Sequence, residues 1–165
     1  MTVDELSDAW LAAWSSGDAS AFAPLCAASL HYEDPLTAAP LHDSGALAGH
    51  ARRLWAGLPD ARVEAAGPRP RDDRFVAIPW RLRGTHTAPL GALPATRRFV
   101  AVPGLFYCEL DGPGPGAPGP RMLRVRGIFD VYDAGVQLGI LPGRGTLGER
   151  ALLVLRGFGL RMRGA

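Results

Sequence analysis

Two side chains stand out for the chemistry their surroundings would allow. Asp130 lies between Phe129 and Val131, and period-two alternation puts Ile128 and Tyr132 on its own strand face. A carboxylate in such apolar company loses hydration, and desolvation raises a carboxyl pKa. A carboxyl group poised nearer neutrality can take a proton from carbon and return one to oxygen. Counting by twos from Val76 through Ile78, Trp80, Leu82 and Gly84 places His86 on an apolar face. On a cavity wall, its imidazole could donate to a ligand carbonyl and stabilise enolate charge. Bland alternatives stand beside both. Arg124 and Arg126 share the parity of Asp130 and would form a structural ion pair with it. A lone histidine on an apolar face is commonly a core residue satisfied by backbone.

A second group surrounds these two. His50 falls on the apolar face of a helix, and Tyr32 and Asp34 begin the loop or strand before it. Each suits a pocket wall or rim, although a structural role fits His50 and Asp34 as well. Trp80 and Phe106 are core residues by default that also shape any cavity. The expected substrate contacts are Tyr32, Asp34, His50, Trp80, Phe106, Ile128 and Tyr132, with Asp130 and His86 catalytic. An aromatic-rich cavity suits a small hydrophobic or polycyclic organic ligand. The chain carries no Gly-rich phosphate loop, nucleophile elbow, HExxH or dinucleotide fingerprint. No metal, nucleotide or other cofactor is expected.

The elements that must hold these residues are legible in outline. Thr2-Val3-Asp4-Glu5 fits a capping box, and Val3, Leu6, Trp10 and Trp14 follow at helical spacing. Gly17 ends that helix, and Asp18 caps a shorter one carrying Phe22 and Leu25. A third helix begins near Ser44, presents Leu47, His50, Leu54 and Leu58 on one face, and stops at Pro59-Asp60. Strands follow over Arg62–Pro68, Arg74–Thr87, Arg97–Leu110 and Arg121–Asp133, with Pro79 pushing the second towards an edge or bulge. Asp111–Pro120 reads as a Gly/Pro-rich loop. Helices first and antiparallel strands after them predict an α+β fold, with helices packed on one side of a curved sheet.

Bulk properties set the class. At 165 residues with 47% apolar content, one domain with a real core is expected. The net charge is +2, and all 18 basic residues are arginine, a codon-bias signature rather than a nucleic-acid stripe. No secretory leader and no membrane span is expected. Cys26 and Cys108 read as buried free thiols, which places the protein in the reducing cytoplasm. Residues 1–142 form the expected domain; residues 143–165, with Ala151–Leu155 between arginines, form an apolar, Arg-rich extension, read as an element that packs on its own domain or a twin subunit, with a membrane-surface or partner-binding helix as the alternative.

Three segments resemble the SnoaL-like polyketide cyclase branch of the nuclear-transport-factor-2-like superfamily. Gly84-Thr85-His86-Thr87 with Pro94-Ala95-Thr96 resembles the family's GTHxGxxxGxxPT stretch. Phe129-Asp130 followed by Gln137-Leu138-Gly139 resembles its aromatic–Asp pair and QLG triplet. Trp10, Asp18, Phe22, Tyr32-Glu33-Asp34-Pro35, Gly45 and His50 match its early part. The resemblance implies a cone-shaped α+β barrel, a curved, mostly antiparallel sheet with three N-terminal-half helices around a central cavity. It implies a homodimer, and a cofactor-independent cyclase or isomerase closing rings by aldol-type general acid/base catalysis, with Asp130 as the acid/base. A non-catalytic ligand-binding or dimerisation module of the same fold is the first alternative. Epoxide-hydrolase-like water addition is the second, and it needs a carboxylate beside Asp130, for which Asp34 is the candidate.

Overall fold

The computed structural model describes residues 1–112 and 119–156. The capping box forms as the sequence predicts. Glu5 N–H donates to Thr2 Oγ1 at 3.2 Å, and Thr2 N–H donates to Glu5 Oε2 at 2.7 Å. Helix α1 (Val3–Ser16) then buries Leu6, Trp10 and Trp14, and Gly17 ends it in the left-handed region at φ 70°. Asp18 caps the next segment, which is a 3-10 helix (Ala19–Leu25) rather than an α-helix and contains Pro24. Helix α2 (Ser44–Gly57) is capped by Asp43, whose side chain accepts from Ala46 N–H at 2.7 Å.

Five strands form one curved, unclosed sheet in the order β1-β5-β4-β3-β2. They are β1 (Cys26–Glu33), β2 (Arg62–Ala65), β3 (Phe75–Thr85), β4 (Phe99–Asp111) and β5 (Arg121–Phe129). All neighbours are antiparallel except β1 and β5, which run parallel. Alternation on β3 buries Val76, Ile78 and Trp80 towards the helices. With Trp10, Trp14, Phe22, Tyr32 and Phe106 these residues form an aromatic core of edge-on, tilted and stacked contacts. Gly104 on β4 leaves room for the Trp80 ring, since a Cβ there would sit 2.2 Å from Trp80 Cζ2.

Three expectations change. Strand β1 is an addition; a register shift between Cys26 and His31 breaks the alternation that would have announced it. Pro79 lies on a strand with neighbours on both sides, not at an edge. Its carbonyl accepts from Ala66 N–H at 3.0 Å, and the bond that proline cannot make is the reciprocal one towards β2, just where β2 ends. Strand β5 stops at Phe129, and residues 131–138 turn into helix α3 (Val131–Leu138) instead of continuing the strand.

Helix α3 occupies the space β5 vacates. Beyond Gly104 the β4 edge has no β5 partner. There the Gln137 amide accepts from Ala101 N–H at 2.7 Å and donates to Ala101 O at 3.2 Å, as a paired strand would. Gly139 closes α3 at φ 75°. A last helix, α4 (Leu147–Leu155), has Thr146 as its N-cap and exposes Leu147 and Leu155. The expected loop at 111–120 and extension at 143–165 fall partly outside the described residues, at 113–118 and 157–165. No helix among the described residues is long and apolar enough to cross a membrane.

Candidate active site

Between the concave sheet face and the helices lies a cavity of about 410 Å³. Its wall is apolar over most of its extent, with Trp14, Trp80, Phe106, Phe129, Leu58 and Leu138 among the lining side chains. Polar groups gather where β1 meets α2: Tyr32, Asp34, His50 and Arg53.

Strand parity puts Tyr32 and Asp34 on the same side of the chain, and Asp34 follows the last residue of β1. The Tyr32 hydroxyl donates to Asp34 Oδ2 at 2.8 Å. His50 comes from the buried face of α2, and its Nε2 lies 2.8 Å from the same oxygen. Asp34 Oδ1 accepts from Leu36 N–H at 2.7 Å. The Asp34 and His50 side chains are each only 7% exposed. Arg53 Nη2 lies 3.2 Å from His50 Nδ1. A guanidinium can only donate, so Nδ1 accepts and the imidazole proton sits on Nε2, aimed at Asp34. Trp14 and Tyr32 flank the imidazole at ring centroid distances of 6.1 and 5.8 Å.

Burial acts to raise the Asp34 pKa. The hydrogen bonds from His50, the Tyr32 hydroxyl and the Leu36 amide outweigh it and hold the carboxyl below its ordinary value. Burial, reinforced by the Asp34 charge, pushes the Tyr32 phenol well above its ordinary value. The site at rest therefore holds an ionised carboxylate between two hydrogen-bond donors.

Close approach of β5 makes the arrangement possible. Gly127 sits behind Asp34, and a Cβ there would lie 2.9 Å from Asp34 Cβ and 3.3 Å from Tyr32 Oη. Gly127 and Phe129 face the cavity, so alternation turns Ile128 outwards, where it is 47% exposed.

Several expected site residues lie elsewhere. Asp130 is not mid-strand. It is the N-cap of α3, its Oδ1 accepts from Asp133 N–H at 3.0 Å, and its Oδ2 pairs with Arg144 at 2.8 Å. The Asp130 side chain is half exposed and does not line the cavity. Its presumed partners are engaged differently, Arg124 with Glu109 and Arg126 with Glu33. Tyr132 turns away as well, donating to Pro142 O at 2.8 Å under the Arg144 guanidinium. His86 is fully buried on the apolar parity but is absent from the cavity lining. Its Nδ1 accepts from Thr96 N–H at 3.1 Å, which leaves Nε2 to carry the proton, without a hydrogen-bond partner among the described residues. The structure thus brings Tyr32, Asp34, His50, Trp80 and Phe106 to one cavity and leaves Asp130, His86, Ile128 and Tyr132 outside it. Arg53 is a polar cavity side chain that sequence patterning missed. Its spacing of three from His50 on one helix was the available signal.

Residues 8–133 match the model of the SnoaL-like domain. The chain belongs to the SnoaL-like family. No curated protein matches it in sequence. Among solved structures, this SnoaL-like chain is similar to IdmH of Streptomyces antibioticus, a candidate polyketide cyclase, at 22% identity and TM-score 0.67, covering 82% of this chain and 97% of that one. TsrD of Streptomyces laurentii is 18% identical with TM-score 0.70, over 84% of this chain and 96% of that one. A protein of Catenulispora acidiphila with a ketosteroid isomerase-like fold, solved with trimethylamine, is 21% identical with TM-score 0.66, over 85% of this chain and 95% of that one. These likenesses establish the ketosteroid isomerase-like, nuclear-transport-factor-2-like fold of the SnoaL-like chain.

Proposed function

We propose that this SnoaL-like protein is a cofactor-independent cyclase or isomerase that moves a proton on an apolar carbonyl compound, with Asp34 as the proton-transfer group. The observation that carries this reading is a single carboxylate oxygen receiving both Tyr32 Oη and His50 Nε2 at 2.8 Å on the wall of an otherwise apolar cavity.

The steps follow from that geometry. Asp34 takes a proton from the carbon beside a substrate carbonyl, and the C–H electron pair moves onto the carbonyl oxygen as an enolate. Protonation cancels the Asp34 charge that held the Tyr32 hydroxyl and the His50 N–H. Those donors are then available to the enolate oxygen as its charge develops. Asp34 afterwards returns its proton. In an isomerisation the proton goes to a different carbon. In ring closure the enolate carbon attacks a second carbonyl, and the proton goes to the new alkoxide. Arg53 fixes the His50 tautomer that supplies the N–H. The aromatic walls exclude water, which strengthens each of these interactions.

The test uses 2-tetralone, an apolar cyclic ketone. In deuterated buffer, the protein should accelerate exchange of its α-hydrogens, and Asp34→Asn should abolish the acceleration. Wild-type exchange no faster than buffer, or an Asp34→Asn variant at full rate, would overturn the reading.

A further inference from the structure

Among the described residues, Arg53 is the only guanidinium on the cavity wall, and it has no carboxylate partner. The other site-facing polar groups, Tyr32, Asp34 and His50, are fully engaged with one another. Arg53 spends one N–H on His50 Nδ1, which leaves its remaining donors uncommitted. Arg53 differs in this from Arg69, Arg71, Arg74, Arg83, Arg124, Arg126 and Arg144, each of which pairs with an acidic side chain elsewhere on the protein. A cation left open at the polar end of an apolar cavity is a recognition element, because its fork matches a carboxylate in two parallel hydrogen bonds.

We propose that the ligand of this cavity is an apolar carboxylic acid, with its carboxylate on Arg53 and its hydrocarbon body against Trp14, Trp80 and Phe106. This rests on the reading of the cavity as a small-molecule site and adds the substrate class. Arg53 and Asp34 meet opposite edges of the His50 imidazole. A carboxylate on Arg53 is therefore held off the Asp34 charge by the width of the ring, while the carbon beside a neighbouring carbonyl can reach the Asp34 oxygens. The same charge arrangement rejects a substrate bearing a cation at this end.

The experiment is equilibrium binding to the full chain by calorimetry. The probes are 2-naphthoate and its isosteric neutral amide, 2-naphthamide. Wild type should bind the carboxylate at least about tenfold tighter than the amide, the ratio expected of one charge-assisted bidentate contact. Arg53→Gln should bring the two within about twofold, and Arg53→Lys should keep part of the preference. Arg53 is exposed, so these variants keep the fold, which circular dichroism verifies. Equal binding of the two probes by wild type, or a preference that survives Arg53→Gln, would overturn the proposal. Failure of both probes to bind would overturn the small-molecule site itself. The catalytic reading fails separately, if Asp34→Asn leaves ketone exchange unchanged while the carboxylate preference stands.

Discussion

Asp34 and His50 stand sixteen residues apart in the chain and 2.8 Å apart on the cavity wall. One leaves the end of β1 and the other the buried face of α2, so their contact ties the sheet to its helical cover. That tie is structural as well as chemical, and the consequences can be measured separately.

Replacing Asp34 by Asn should lower tetralone exchange by about a hundredfold or more, the usual contribution of a positioned acid/base group. The amide should also cost about 1–3 kcal/mol of stability, since its NH₂ opposes a donor where the carboxylate accepted two. Urea unfolding reads the stability and deuterium incorporation reads the rate.

The depressed Asp34 pKa fixes the sign of an acid effect. The carboxyl is held below its ordinary value of 3.8 in the folded state. The unfolded chain therefore binds its proton first as pH falls. The stabilisation is complete above the unfolded value and declines as pH drops through the folded one. Between neutral pH and pH ~3, wild type should lose more stability than Asp34→Asn. Parallel pH profiles of the two would show that the carboxylate is not held in this way.

Gly127→Ala tests the close approach of β5. The added methyl meets Asp34 and Tyr32 with no open space between. Overpacking of this kind costs about 1–3 kcal/mol. It should also displace the Asp34–Tyr32 contact, so ketone exchange falls together with the unfolding midpoint. A variant as stable and as active as wild type would show that the strand yields easily.

Asp130→Asn should leave exchange within about twofold of wild type. Asn caps a helix nearly as well as Asp, so stability should stay within about 0.5 kcal/mol. Asp130→Ala removes the cap and should cost about 0.5–2 kcal/mol. A collapse of exchange in Asp130→Asn would return the chemistry to that carboxyl.

Gln137→Ala removes the side chain that closes the open β4 edge. Hydrogen exchange should lose protection at the Ala101 amide and along α3, with β3 and β5 unchanged. Retained protection at Ala101 would mean that packing of Leu138 alone holds α3 down.

The two cysteines give a control for folding. Burial pushes Cys26 up to about 12 and Cys108 higher still. Thiolate is the reactive form, so native protein should resist alkylation and react only on unfolding. Rapid labelling of either thiol at pH 8 in native buffer would contradict that.

Much of the architecture was legible because it rests on local rules. The capping box at Thr2 and Glu5, the apolar stripe from Leu6 to Trp14, and the alternation from Val76 to Trp80 all depend on neighbours within a few residues. The family motifs were legible too, yet their roles were not. The Asp130-to-Gly139 signature marks the two ends of α3, an N-cap and a left-handed stop, with Gln137 docked between them. His86 and Thr96 in the GTHT and PAT segments bond to each other inside the protein.

By itself, then, the sequence determined α1, α2 and the run of antiparallel strands β2 to β5, the family, and the residue types available for proton transfer. Only the tertiary structure decided which of them share a cavity. Strand parity assigns a side chain to one of two faces, but it cannot show that β5 ends at Phe129 and that Asp130 swings out to cap a helix. The bulge in β1 hid the strand that delivers Tyr32 and Asp34, and their meeting with His50 and Arg53 is a long-range packing outcome. The burial that engages Asp34, and the openness that leaves Arg53 without a carboxylate partner among the described residues, exist only once sheet and helices close around a common space.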